Sequence, residues 1–305
     1  MTVATRTDDE DSILDLSGGD AGVQLGLDGL LSPRFSNIRP LYTSAKGPAA
    51  IFTATRYGKR FLLKGLREEF RQDPIWNMAL AKEFEIGMQL EHPNIRRTFG
   101  LENVDGLGRV IVMEYVDGAS LDELLASGSM TQADVRGVMR QIACALEYMH
   151  SKQMYHRDLK PSNILVSHSG NVVKIIDFNL SDSEEFVVLK NPAGSLRYMA
   201  PEQQVPGARP SAVADIYSFG VILKEAGEGS GDEQLAEVGR KCMNRNPARR
   251  PQSVAMLRLP SVHPSAIQSV YGFLSSTVLT VILVCLLLAI AALIVRYYAL
   301  VPPLI

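Results

Sequence analysis

His156-Arg157-Asp158-Leu159-Lys160-Pro161-Ser162-Asn163 puts a carboxylate, two permanent cations and an amide into eight consecutive residues. Nineteen positions after Asp158, directly behind the mainly apolar run from Val172 to Ile176, comes Asp177-Phe178-Asn179. That run suits one buried strand, so the two polar groups flank a hydrophobic element. An ordinary polar loop gives no reason for two such groups in this order with a strand between them. Asp and Asn supply the oxygen donors that hard divalent cations take, and Lys supplies charge that can neutralise a phosphate.

Together these residues resemble the catalytic centre of the protein kinases, in which the protein positions and neutralises the transferred phosphate rather than doing covalent chemistry. The resemblance implies Asp158 as catalytic base, Lys160 at the γ-phosphate of ATP, Asn163 and Asp177 as ligands of Mg²⁺ (or Mn²⁺), and Phe178 packed beneath the site. It runs from about residue 40 to about residue 260. Ala200-Pro201-Glu202 matches the family's close of the activation segment, Asp215-Ile216-Tyr217-Ser218-Phe219-Gly220 its helix bracing the catalytic loop, and Arg250 the partner of Glu202. Glu202 and Arg250 are expected to be structural, because a buried ion pair is costly to break.

Upstream, Arg60 to Lys64 alternates like a half-buried strand, and its Lys64 falls where the family holds the α- and β-phosphates. Glu83, nineteen positions further on, has the spacing of its ion-pair partner, with Glu85 as runner-up. By the same resemblance Arg109 to Val116 is the hinge strand: the main chain at Glu114 and Val116 faces the purine, Met113 lies behind it, and Leu62 and Leu165 sandwich the ring. The strand leads into Asp117-Gly118-Ala119-Ser120, and Ser120 is counted with the nucleotide-binding residues.

Four departures stand out. The family's glycine loop is replaced by Ser44-Ala45-Lys46-Gly47-Pro48-Ala49-Ala50-Ile51, in which Gly47 is out of register. Cβ atoms loosen a phosphate cradle, and the charge of Lys46 offsets part of that loss, so Lys46, Gly47 and Ile51 are assigned to the nucleotide. Asn179 replaces the glycine after Asp177-Phe178, a residue that still tolerates positive φ. Gly87 stands one turn after Glu83, where a large apolar residue is usual. Finally, only thirty-five positions separate Asp215 from Arg250. Gly227-Glu228-Gly229-Ser230-Gly231-Asp232 reads as a flexible turn before a helix from about Glu233 to Cys242, so the family's substrate-docking helix is expected to be absent or vestigial.

Lys160-Pro161-Ser162-Asn163 resembles the Ser/Thr-specific form of the loop, so the expected partner is a protein substrate of unknown identity bearing Ser or Thr. Ser181, Ser183 and Ser195 are candidates for phosphorylation opposite Arg157, with Ser195 the weakest. Thr131 opens a helix whose Val135, Val138, Met139, Ile142, Leu146 and Met149 recur at helical spacing and read as core.

From Leu274 to Val295 the chain carries no charge, and at 1.5 Å per residue this run reaches about 33 Å against a hydrocarbon core of about 30 Å. Tyr271 and Phe273 on one flank, and Tyr297 and Tyr298 on the other, suit the two interfaces. The expectation is a single transmembrane helix over 274–296, a C-terminal anchor in a lipid bilayer, with a linker at 263–273 and a tail at 297–305. Arg296 alone would set the opposite orientation, but the need for ATP and the acidic N-terminus without a signal-like stretch place the kinase domain in the cytoplasm. Cys144, Cys242 and Cys285 are too scattered for a disulfide framework.

The fold expected is therefore α+β: a two-lobed kinase domain over 36–262, with a small β-rich lobe to about residue 115 and a helical lobe from about 117, plus the transmembrane helix. Residues 1–35, with Asp8-Asp9-Glu10-Asp11, read as disordered. A net charge of −2 excludes a basic nucleic-acid footprint. A second copy of the chain is admitted as a partner in a homodimer. Two rival readings remain: a membrane-anchored pseudokinase or scaffold, from Ser44, Lys46, Ala49 and Gly87, and a small-molecule phosphotransferase, which would lack Ala200-Pro201-Glu202.

Overall fold

The computed structural model describes residues 34–43, 47–177, 196–205, 209 and 211–261. In chain order these form β1 (Ser36–Thr43), β2 (Ala49–Arg56), β3 (Lys59–Leu66), α1 (Pro74–Gln89), β4 (Thr98–Val104), β5 (Gly108–Glu114), β6 (Gly118–Ser120), α2 (Leu121–Ser127), α3 (Gln132–Ser151), β7 (Ile164–Ser167), β8 (Val173–Ile175), α4 (Ala212–Ser230) and α5 (Glu233–Cys242), with short 3-10 turns between. The Ser44 to Lys46 stretch, Phe178 to Ser195 and the 274–296 segment lie outside the described residues. Among the described residues no helix is long and apolar enough to cross a membrane.

Five antiparallel strands in the order β1-β2-β3-β5-β4 make the upper lobe. The alternation expected of β3 is replaced by burial of both faces: Leu63 packs with Ala54, Val110 and Val112 on one side, Leu62 with Leu80, Ile111 and Met113 on the other. The second face is covered because α1 and its approach, with Leu80, Phe70 and Trp76, lie against it. A strand covered on both faces reads as a continuous apolar run, and Leu62-Leu63 is that run.

Helix α1 begins where Asp73 accepts from the Ile75 amide and Pro74 supplies a fixed φ at the first helical position. Gly87, near its end, is a packing residue. A Cβ there would sit 3.0 Å from the Thr98 Cβ and closer still to its Oγ1. The bulky residue usual at this position is thus excluded by the close approach of α1 to β4.

The lower lobe is built on α3, capped by Thr131, which accepts from the Asp134 amide. Val135, Val138, Met139, Ile142, Leu146 and Met149 are all buried, as their spacing requires, and share one core with Ile216, Phe219, Ile222 and Leu223 of α4. The expected turn at Gly227 to Asp232 is shorter than its composition suggests. Helix α4 runs on through Gly227 and Gly229 to Ser230, and only Gly231, at φ 70°, and Asp232 break it. Packing overrides propensity here, because α5 lies so close that a Cβ on Gly239 would meet the Lys224 amide nitrogen at 2.5 Å. The expected helix from Glu233 to Cys242 is present as α5.

Candidate functional site between the lobes

The floor of the site is a loop held from below by one carboxylate. Asp215, 1% exposed on α4, accepts from the amides of His156 at 2.8 Å and Arg157 at 2.9 Å. Its Oδ2 also lies 2.9 Å from His150 Nε2. Two amide donors fix the loop backbone where Arg157 takes the left-handed φ of 64°. His156 is buried, which pushes its pKa down against the pull of Asp215 and Asp158. The neutral ring suits its position, with Nε2 donating to the Ile176 carbonyl at 3.1 Å. The Ile176 amide in turn donates to the Asn163 carbonyl at 2.9 Å. Those two bonds tie the residue before Asp177 to both ends of the His156 to Asn163 loop.

On that loop Lys160 Nζ donates to Asp158 Oδ2 at 3.0 Å, and Asn163 Nδ2 donates to the Asp158 carbonyl at 2.8 Å. Asp158, Lys160 and Asn163 are thus brought together as expected. Asn163 is 6% exposed, on the 3-10 turn Pro161–Asn163. Asp177, at φ 56°, ends the described stretch after β8.

From the upper lobe, Lys64 Nζ donates to Glu83 Oε1 at 2.6 Å and to Asp177 Oδ1 at 2.9 Å. Burial alone would lower the Lys64 pKa; Asp177 and Glu83 more than offset it and hold the ammonium charged. The Lys64 ammonium holds the Asp177 carboxyl well below the usual range despite burial, and Arg96 adds to the effect. Glu83 is the partner and Glu85 is exposed, because two positions along a helix point to different faces.

Around the purine position Met113 and Leu62 are buried at 4% and 7% exposure. Ile51 pairs in register with Lys64 and packs on the cluster of Leu62 and Met113. Ser120 pairs in register with the half-buried Leu165. Val116 is half-buried just beyond β5. Glu114 is fixed at three points: its amide donates to the Arg97 carbonyl at 2.9 Å, and its carboxylate accepts from the Arg97 amide at 3.2 Å and Lys174 Nζ at 2.8 Å. Gly47 is tied to the sheet through Arg67 Nη1, which donates to its carbonyl at 3.4 Å. Lys46, Phe178, Asn179, Ser181, Ser183 and Ser195 lie outside the described residues. A cavity of about 920 Å³ lined by Leu66, Arg71, Asn77, Leu101 and Arg109 lies elsewhere in the upper lobe and is no part of this cluster.

Beneath the site, Arg250 makes a two-pronged pair with Glu202, Nη1 to Oε1 at 2.6 Å and Nη2 to Oε2 at 2.8 Å. The structural role expected for both is the one they have. Sequence reasoning missed Arg96. In Ile95-Arg96-Arg97-Thr98 it looks like one of two surface charges, yet it is 6% exposed and reaches Asp177.

A sheet-rich lobe over a helical one, with a Lys–Glu pair meeting an Asp–Lys–Asn loop at their junction, defines the kinase architecture. The protein kinase domain family model matches residues 47–231, more than half of the chain, and the chain belongs to that family. It is 34% identical over 167 residues to the serine/threonine-protein kinase PrkC of Bacillus subtilis, covering 53% of this chain and 25% of that protein. It is 32% identical over 207 residues to the serine/threonine-protein kinase PknA of Mycobacterium tuberculosis, covering 65% and 48% respectively. For mitogen-activated protein kinase kinase 7 of Arabidopsis thaliana the figures are 32% over 199 residues, 62% and 63%. The chain thus spans between a quarter and just under two thirds of the length of these relatives.

Proposed function

We propose that the protein is an ATP-dependent Ser/Thr protein kinase that transfers the γ-phosphate to protein hydroxyls from the cytosolic face of a membrane. The observation that carries this reading is the Lys64–Glu83 pair made at 2.6 Å, with Lys64 also bonded to Asp177 beside the Asp158 loop. Lys64 supplies the charge that orients the α- and β-phosphates, and Glu83 keeps its ammonium in place. Asp158 receives the proton of the acceptor hydroxyl, and Lys160, 3.0 Å from it, neutralises the transferred group. Met113, Leu62, Leu165 and Ile51 exclude water around the purine, and the main chain at Glu114 and Val116 reads its edge.

Asn163 and Asp177 suit Mg²⁺, since each offers hard oxygen and this ion is held by one or two protein ligands together with substrate phosphates. When bound, the ion neutralises charge on the β- and γ-phosphates. Ser/Thr acceptors are favoured by Lys160 two positions after Asp158 and by the names of the relatives. The test is transfer of labelled phosphate from Mg²⁺-ATP by the full-length protein to generic Ser/Thr peptides and to Tyr peptides. Label on Ser or Thr is expected; label confined to Tyr, or none on any acceptor or on the protein itself, overturns the reading.

The uncharged run from Leu274 to Val295 supports the membrane anchor. Full-length protein is expected to stay in the membrane pellet at alkaline pH, whereas a chain ending near Ser265 is released. Release of the full-length chain by alkaline washing removes the anchor from the proposal.

A further inference from the structure

Arg96 is held where it cannot avoid the site. Its amide donates to the Ile175 carbonyl at 3.0 Å, the Ile175 amide donates to the Asn94 carbonyl at 2.9 Å, and Ile95 bridges Ile175 in parallel register. Its backbone is therefore bonded to the strand that ends two residues before Asp177. The side chain is 6% exposed, and Nη2 lies 3.7 Å from Asp177 Oδ1, the same oxygen that accepts from Lys64 at 2.9 Å.

The charges of this cluster balance only if Arg96 is counted. Lys64 and Arg96 contribute two positive charges, Glu83 and Asp177 two negative ones. A buried carboxylate without compensation is costly, and a guanidinium does not lose its proton to escape the site. Lys64 is shared between two carboxylates, so it cannot neutralise both. Arg96 supplies the missing charge.

We propose that Arg96 is a positioning residue, a standing counter-cation that holds the Asp177 carboxylate in the site before nucleotide arrives and competes with the divalent metal for it. This rests on the reading of Asp177 as a metal ligand. A neutral cluster would attract Mg²⁺ alone only weakly, because Arg96 cancels the charge that Asp177 would otherwise offer the ion. A merely structural arginine would affect folding without altering the response to metal.

The experiment follows the melting temperature of the full-length protein against Mg²⁺ alone, without nucleotide. In Arg96→Met the Mg²⁺ concentration giving half of the shift falls about tenfold, as removal of a like charge near a ligand requires, while Arg96→Lys stays close to wild type. A midpoint in Arg96→Met equal to or above that of wild type overturns the proposal. If Arg96→Met does not fold, Arg96→Gln, which keeps donors and drops the charge, carries the same comparison. A double-mutant cycle with Asp177→Asn, measured without metal, must show coupling; additive losses also overturn it. Asp177→Asn alone tests the underlying reading. If it leaves the metal response intact, the assignment of Asp177 as ligand fails. If it abolishes the response while Arg96→Met changes nothing, the Arg96 proposal alone fails.

Discussion

Asp158→Asn lowers the rate of phosphate transfer at least about a hundredfold while ATP binding stays near wild type, because an interaction made only in the transition state is removed. The amide matches the carboxylate in shape, so the loop geometry set by Asp215 and the bond from Asn163 Nδ2 to the residue 158 carbonyl, 2.8 Å, are kept. What disappears is the acceptor for the hydroxyl proton and the anionic partner of Lys160 at 3.0 Å. Initial rates with a Ser/Thr peptide, paired with nucleotide affinity by equilibrium binding, check it. Equal rates in wild type and variant would falsify the role given to Asp158; a rate loss matched by lost nucleotide affinity would reassign the residue to binding.

The second large effect is on stability. In Glu202→Ala the Arg250 guanidinium, whose side chain is 0% exposed, loses both carboxylate bonds and keeps carbonyl partners, Asn244 at 2.7 Å and Val213 at 3.0 Å among them, and the face of the Tyr217 ring 4.9 Å away. Leaving a buried charge uncompensated costs about 3–5 kcal/mol, which for a domain of this size lowers the melting temperature by about 6–20 °C. The Arg250 bonds also pull the Glu202 pKa below its ordinary 4.5 against the effect of burial. The folded carboxyl is thus depressed relative to the unfolded one. Its contribution is present above pH 4.5 and is lost as the pH falls through the folded value, so the variant lacks that acid-side loss. Thermal melts at pH 7 and across the acid range decide the matter, and a shift below about 2 °C at pH 7 shows that the remaining partners satisfy Arg250.

Much of the site was legible in the sequence because its chemistry is carried by residues close together in the chain. Asp158, Lys160 and Asn163 share one loop, and Asp177 follows two short strands later. Lys64 and Glu83 were placed by the family resemblance and the spacing it implies, and the structure separates Glu83 from Glu85 by helix face. What escaped depends on contacts between distant segments. The apolar Leu62-Leu63 pair concealed two covered faces, since nothing local shows that a helix will lie on the second. Gly227 and Gly229 look like a turn and are helical, because the close packing of α4 against α5 outweighs their propensity. Arg96 escaped because the strand its backbone bonds to comes about eighty residues later.

The Lys64–Glu83 bond, made at 2.6 Å, ties α1 to β3. A charge-assisted hydrogen bond of this kind contributes about 2 kcal/mol, a weight of about thirtyfold against any form in which α1 swings outward and the bond is lost. An input that does no more than complete the pair would therefore have little to add. Control has more room in the opposite direction: a ligand that captures an outward form of α1 has to overcome that preference.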